Sequence, residues 1–290
     1  PHRIAVDDFD EDGDQDLVTC SYWEPEISVL RNNGDGTFAA KVDFNLNSVG
    51  GSIESVDLDA DTDYDLVIAH AIESGVTVLE NDGSGVFSIV NRLETNGIPR
   101  DVDCADLNGD GSHDLAVTSS VGGTLSVLLN RGDGSFGERV DYEGGRGNLV
   151  SGDFSGSGFT DIAVVDPMVG DVIIFKNDGD GNFIPSLQIQ RTGGRPDFVL
   201  TADWNGDGHA DLATANGNKT VGVLVNQGNG IFAAKVDFPA GGSLQIPCSG
   251  DFNADGKPDI AVSHGGNATV GVLLNTTPAP ARAKLALAKE

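Results

Sequence analysis

Three cysteines in 290 residues are too few for a disulfide scaffold, and their number is odd. Cys104 and Cys248 fall in equivalent strands of different repeats, and Cys20 in a different strand. Three small buried side chains are therefore expected, and a Cys20–Cys248 bridge is the one pairing left open. Basic residues are also scarce: 17 Lys and Arg against 45 Asp and Glu give a formal net charge of −28. Such a charge repels phosphate backbones and argues against nucleic-acid partners. No apolar run approaches the ~20 residues that a membrane-spanning helix needs, so no direct membrane insertion is expected. No long stretch has helical period, and no secretory leader stands at the start. The chain opens at Pro1 without Met, as a processed or trimmed form would.

What is abundant is glycine, 40 residues, and a repeat that organises it. Asp8-Phe-Asp-Glu-Asp-Gly-Asp-Gln-Asp16 recurs as Asp57–Asp65, Asp106–Asp114, Asp153–Asp161, Asp203–Asp211 and Asp251–Asp259, at intervals of 49, 49, 47, 50 and 48 residues. A second marker keeps step with it: Asn33-Gly-Asp-Gly-Thr-Phe38, then Asp82–Phe87, Arg131–Phe136, Asp178–Phe183 and Gln227–Phe232. In the sixth repeat it is missing, and Asn275 is followed by Thr-Thr-Pro-Ala-Pro.

Between the markers lie short β-branched runs such as Asp114-Leu-Ala-Val-Thr118 and Thr124-Leu-Ser-Val-Leu-Leu129. Alternation bounded by Gly, Asn and Asp turns reads as strand. Four strands per unit of about 48 residues is the signature of a propeller blade, which must stack on its neighbours to bury both faces. The expected fold is all-β, a β-propeller of four-stranded antiparallel blades over residues 1–277, with six blades and seven as the alternative. Residues 278–290 turn to Ala and Lys. They read as a linker to further domains of the same polypeptide, a short helix, or the missing last strand, with composition favouring helix.

Oxygen ligands at places 1, 3, 5, 7 and 9 of a tight loop suit calcium, a hard cation. Place seven would offer its backbone carbonyl, so its side chain varies. Five loops have competent sets: Asp8, Asp10, Asp12, Asp14 and Asp16; Asp57, Asp59, Asp61, Asp63 and Asp65; Asp106, Asn108, Asp110, Ser112 and Asp114; Asp203, Asn205, Asp207, His209 and Asp211; Asp251, Asn253, Asp255, Lys257 and Asp259. Thr62 stands where the other loops have Gly, which should strain the turn. Loop four carries Ser155 and Ser157 and should bind weakly or not at all. Three or four carboxylates in one turn repel by about 1–4 kcal/mol per pair, so about five structural calcium ions are expected. An EF-hand is excluded, because its Glu at place twelve is replaced here by Thr19, Ile68 or Val117 within a strand.

The paired markers resemble the FG-GAP/VCBS repeats found in integrin α-subunit propellers and in many secreted microbial proteins, over nearly all of residues 1–277. The resemblance implies calcium in the loop joining strands one and two of each blade. It also implies a ligand face at the other end, built from the 2–3 and 4–1 loops. Integrin-type propellers have seven blades, whereas six repeats are counted here.

No nucleophile elbow, zinc helix or phosphate loop is present, and the chain is not expected to be an enzyme. His70 and His264 sit at equivalent places in repeats two and six and, with Tyr22, are the residues a propeller-based lyase or hydrolase would use. On the implied ligand face Tyr22 and Trp23 offer an aromatic pair for a sugar or a protein anchor. Arg100, Arg146 and Arg195, in or beside 4–1 connections, are placed to receive a carboxylate or acidic glycan. The expectation is an extracellular or cell-surface recognition or adhesion module with a protein or carbohydrate ligand. A structural spacer within a larger surface protein is the remaining reading.

Overall fold

The computed structural model describes residues 3–191, 194–265, 269–277 and 287–289. They form six antiparallel sheets of four strands, each strand hydrogen-bonded to the next in sequence. The first sheet is β1 (Arg3–Asp7), β2 (Asp16–Cys20), β3 (Glu26–Leu30) and β4 (Val42–Asn45). The second is β5 (Gly50–Val56), β6 (Asp65–His70), β7 (Val76–Asn81) and β8 (Phe87–Leu93). The third is β9 (Pro99–Ala105), β10 (Asp114–Ser119), β11 (Thr124–Leu128) and β12 (Val140–Glu143). The fourth is β13 (Leu149–Gly152), β14 (Asp161–Asp166), β15 (Asp171–Asn177) and β16 (Phe183–Arg191). The fifth is β17 (Pro196–Ala202), β18 (Asp211–Asn216), β19 (Thr220–Leu224) and β20 (Val236–Pro239), and the sixth is β21 (Ser243–Gly250), β22 (Asp259–Gly265), β23 (Thr269–Asn275) and β24 (Leu287–Lys289). The fold is all-β, a six-bladed propeller. Its contacts divide it into two compact units, Pro1–Arg146 and Gly147–Glu290, with three sheets in each.

The second strands are among the most buried: β6, β10, β14 and β18 are buried along their whole length, as is β11. Both faces of these strands meet apolar neighbours, so they read as continuous β-branched runs rather than as alternation. The core lies between successive sheets. Phe9, Leu46, Leu66, Leu79 and Phe87 join the first and second, and Leu58, Val102, Val117 and Leu128 the second and third. In the other unit Phe154, Ile174, Leu212 and Phe232 join the fourth and fifth, and Trp204, Val221, Ile260 and Leu273 the fifth and sixth. Trp204, at the loop position that carries Phe or Leu in the other repeats, is core.

Of the three readings of the tail the missing last strand holds, so the preference for helix needs correction, and so does the expected burial of all three cysteines. The end of the tail supplies the fourth strand of the sixth sheet, with Leu273 opposite Lys289 and Asn275 opposite Leu287. An open edge on β23 offers a row of unpaired backbone groups, and that pairing outweighs the helix propensity of Ala, Leu and Lys. Residues 278–286 lie outside the described residues. The cysteines are free thiols, and only Cys20 is fully buried; Cys104 is half-buried and Cys248 exposed.

Candidate metal loops and ligand face

Each acidic loop joins strand one to strand two of its sheet and is wound by its own side chains. The carboxylate at place one accepts backbone N–H groups from the far side of the turn: Asp8 from Asp12 at 3.1 Å and Gly13 at 2.9 Å, and Asp106 from Gly109 at 2.7 Å and Gly111 at 3.0 Å. The side chain at place five then caps the N–H at place seven, as in Asp12–Asp14, Asp61–Asp63 and Asp207–His209. These Asx-type turns drive the backbone through the left-handed region twice, at places four and six. Place six holds Gly13 at φ +94° and Gly111 at +91°, but Thr62 at +86°. The expected strain in loop two is therefore real, because a β-branched side chain rarely adopts that region. Place four was not foreseen. Glu11, Ala60 and Ala254 sit there at φ +57°, +65° and +59°, where loop three has Gly109.

The aspartate at place nine is buried in all six loops. Both of its oxygens accept backbone N–H groups. Asp16 takes Phe9 N at 3.2 Å and Asn32 N at 2.7 Å, and Asp211 takes Trp204 N at 3.1 Å and Asn226 N at 2.7 Å. Loss of hydration pushes the Asp65 carboxyl up to about 6 and the Asp211 carboxyl up to about 7, and loop carboxylates nearby push the same way. This residue staples its loop to the end of strand three as well as facing the ligand set.

The staple leads to residues that the sequence reading missed. Asn32, Asn81, Asn130, Asn177, Asn226 and Asn275 all follow strand-two Asp residues by 15 or 16 positions. Each amide reaches back to its own loop where that contact is described: Asn81 Nδ2 donates to Tyr64 O at 3.2 Å and Asn130 Nδ2 to His113 O at 3.1 Å. Four also reach the preceding sheet's loop at place two. Asn81 donates to Phe9 O at 2.9 Å, Asn130 to Leu58 O at 2.7 Å, Asn226 to Phe154 O at 2.9 Å and Asn275 to Trp204 O at 2.8 Å. An asparagine at one register in six repeats was the available signal.

The two Gly-rich markers keep step because they touch. A Cβ on Gly34 would lie 2.4 Å from Asp14 Oδ2, and one on Gly83 2.6 Å from Asp63 Oδ2. The second marker thus packs its first glycine on place seven of its own sheet's loop.

Do these loops suit a cation? In loop one Asp8, Asp10 and Asp16 bring carboxylate oxygens within 4.8 Å of one another, and in loop two Asp57, Asp59 and Asp61 do so. Asp10 Oδ1 is buried there without a hydrogen-bond partner. An orphaned carboxylate oxygen among two other carboxylates, with oxygen donors throughout, fits a hard divalent ion. In loops three and five an asparagine takes place three, and its amide donates to the place-five carboxylate, Asn108 to Asp110 at 2.9 Å and Asn205 to Asp207 at 3.0 Å. Loop four keeps the turn with hydroxyls, Ser155 Oγ bonding Ser157 Oγ at 3.1 Å, and lacks the charge.

At the other end of the sheets the sequence-predicted residues separate. Trp23 is 90% exposed at the tip of the first 2–3 loop, whereas Tyr22 is half-buried with its ring edge against Gly51. Equivalent tips carry further exposed apolar side chains that were not anticipated: Ile72, Val121, and in the other unit Met168 and Val169. Arg146 lies against Gly123 of the third 2–3 loop, Arg195 beside Gly217 of the fifth, and Arg100 stands half-buried in β9. Arg195, at φ +52°, borders a pocket of about 430 Å³ lined also by Gly194, Asp197, Gly217 and Asn218. Gly194 packs on Asn216, whose Oδ1 is buried without a hydrogen-bond partner. His70 is buried, its Nε2 2.8 Å from Thr77 Oγ1. His264 is held by Ala240 O at 2.9 Å and Thr269 Oγ1 at 3.0 Å. Both histidines have structural partners within their own unit.

The FG-GAP-like repeat family matches five overlapping stretches, residues 8–68, 57–117, 106–164, 153–214 and 203–262, and the chain belongs to that family. Propellers of this family are mostly noncatalytic. Solved structures share the fold. A lectin from Agrocybe aegerita that recognises non-reducing terminal N-acetylglucosamine is 20% identical, with TM-score 0.68 over 98% of this chain and 79% of that one. BBS1N, solved in complex with ARL6DN, is 14% identical, with TM-score 0.66 over 93% and 76%. A functionally unknown protein from Desulfotomaculum acetoxidans is 13% identical, with TM-score 0.69 over 94% and 78%. Among functionally curated proteins, none matches the chain in sequence.

Proposed function

We propose that this chain is a noncatalytic recognition module, secreted or held at a cell surface, whose acidic loops carry calcium and whose 2–3 and 4–1 loops meet a glycan. Trp23 carries the reading. A Trp that is 90% exposed, at the far end of its sheet from the charged loop, in a chain with net charge −28, has no ring stacked on it among the described residues. An indole in that position suits the apolar face of a sugar ring. In the other unit the pocket beside Arg195 offers polar recognition of its own, with a guanidinium, the Asp197 carboxylate and the Asn218 amide around one concavity. The lectin among the structures of like fold supports a carbohydrate as the ligand class.

Calcium would be held by the place-one, -three and -five side chains, with place nine behind them. It supplies charge neutralisation, so that one loop tolerates three carboxylates. A protein ligand is the second reading, favoured by the exposed aliphatic tips Ile72 and Val121 beside Trp23 in the series. A glycan array run with calcium and with chelator separates the two. Trp23→Ala and Arg195→Ala are expected to weaken binding by about tenfold or more without changing the melting temperature. If both variants bind like the parent, the site lies elsewhere; if no glycan binds the parent, the protein reading takes over.

A further inference from the structure

Beside each acidic loop runs one side chain that neither the family pattern nor the ligand set accounts for. It immediately precedes the strand-three asparagine, and it differs in charge from sheet to sheet: Arg31, Glu80, Leu129, Lys176, Val225 and Leu274. Its neighbours are the same parts in each described case. One wall is place three of its own loop; the other is the second glycine of the next sheet's Gly-rich turn. In the second sheet these walls enclose a cavity of about 110 Å³, bordered by Asp59, Glu80 and Gly134. In the first sheet the corresponding space holds a guanidinium. Arg31 Nε lies 3.6 Å from Asp10 Oδ2, a second nitrogen donates to Ser84 O, and the group sits 3.2 Å from where a Cβ on Gly85 would be. In the fourth sheet it holds an ammonium. Lys176 Nζ sits 2.9 Å from the Cβ position of Gly230, and Ser155 Cα lies 3.5 Å from that same point.

We propose that Arg31 and Lys176 are tethered cations that set how much metal their loops require. The idea rests on the reading of the other loops as calcium sites. In loop four the two carboxylates at places three and five are gone, and a lysine has come in beside Ser155, so this loop carries its counter-charge on the chain. In loop one the carboxylates remain, and Arg31 pairs with one of them. A unit positive charge fixed on a ligand carboxylate opposes a divalent ion through the same Coulomb term that draws the ion in. Loop one is then the weaker of the two loops that bring three carboxylates together. Glu80, at the same position in loop two, has the opposite sign and draws a cation more strongly.

The test uses the full chain and calcium alone as probe, and replaces each cation by the leucine that sheets three and six already carry. Calcium titration by calorimetry and by native mass spectrometry is expected to show R31L tightening one weak site about tenfold, ~1.4 kcal/mol, with the remaining sites unchanged. In chelator the sign reverses, and R31L melts below the parent because three carboxylates have lost their only nearby cation among the described residues. Leu129→Arg is the converse: it weakens one calcium site and raises the melting temperature in chelator. K176L lowers the melting temperature equally with calcium and with chelator and gains no bound ion. Unchanged affinities in both R31L and L129R would overturn the proposal, as would a K176L protein that melts like the parent in chelator. A parent that binds no calcium defeats the calcium reading alone, and the melts in chelator still decide the role of Arg31 and Lys176.

Discussion

At the scale of single residues, the acidic loops show how little freedom their backbone leaves. Gly at place six was legible from the sequence, because the Asp-x-Asp-x-Asp-Gly pattern names it. The identical demand at place four was not, since Gly109, Gly156 and Gly206 alternate there with Glu11, Ala60 and Ala254. Thr62 at φ +86° is the costliest of these, because left-handed backbone costs an L-residue roughly 1–2 kcal/mol. No atom lies within 4 Å of a Cβ at the equivalent Gly13 and Gly111, so the penalty is conformational and not steric crowding by neighbours. Thr62→Gly should therefore raise the unfolding free energy by about 1 kcal/mol. Urea denaturation measures it, and an unchanged midpoint would show that the strain is relaxed in solution. The buried asparagines point the other way. Asn130→Ala removes the donor to the part-buried His113 O and one of two donors to Leu58 O, which keeps Gly134 N at 3.1 Å, for a loss of about 1–3 kcal/mol. A loss below 1 kcal/mol would mean that water replaces the amide.

At the scale of elements, the first strands of neighbouring sheets bring like charges together. Glu54 of β5 faces Asp101 and Asp103 of β9, with Asp7 of β1 also near. Asp101 is tied by Ser52 Oγ at 2.6 Å and approached by Arg3 at 3.8 Å. Loss of hydration first, and those carboxylates second, hold the Glu54 carboxyl well above its usual range. A carboxyl raised in the folded state binds more protons than its unfolded counterpart, so stability falls as pH rises from about 4.5 toward the folded value. Glu54→Gln removes that dependence. The variant should be more stable than the parent at pH 7 and indistinguishable from it below about pH 4. Thermal melts across that range decide it, and a constant difference at every pH would assign the effect to packing. Strand identity along these elements was readable from β-branched alternation. The tail strand was not, because Leu287–Lys289 has no strand propensity of its own and pairs only because β23 presents an open edge.

At the scale of the whole molecule, the loops and the cores form one system. Place one and place nine of each loop wind and staple it. The amide that follows strand three ties it to the next sheet, and the place-two side chain enters the apolar layer between the two. Phe9 meets Phe87 edge-on at 5.6 Å, and Phe154 meets Phe232 at 6.5 Å. Neutralising the loop carboxylates should then stabilise the sheets and not merely the turns. Calcium at tenfold above Kd adds about 1.4 kcal/mol per occupied site, and chelation is expected to lower the melting temperature by many degrees. Anomalous scattering from calcium-soaked crystals should show ions at loops one, two, three, five and six and none at loop four. An unchanged melt in chelator, or a single bound ion, would refute the structural role.

The sequence by itself determined the repeat, the number of sheets, the order of strands within each and the position of every acidic loop. These follow from local pattern: alternation, turn residues and a period that cannot arise without a repeated supersecondary unit. Tertiary structure alone decided which carboxylates meet as a cluster, that the place-nine aspartate is a buried staple, and that Trp23 stands free while Tyr22 packs on Gly51. It also decided that Arg31 and Lys176 lean into the loops. The clusters and staples depend on how each loop winds in three dimensions, and the lean of Arg31 and Lys176 depends on the neighbouring sheet, whose glycines Gly85 and Gly230 stand some 50 positions away and leave no trace in a local pattern.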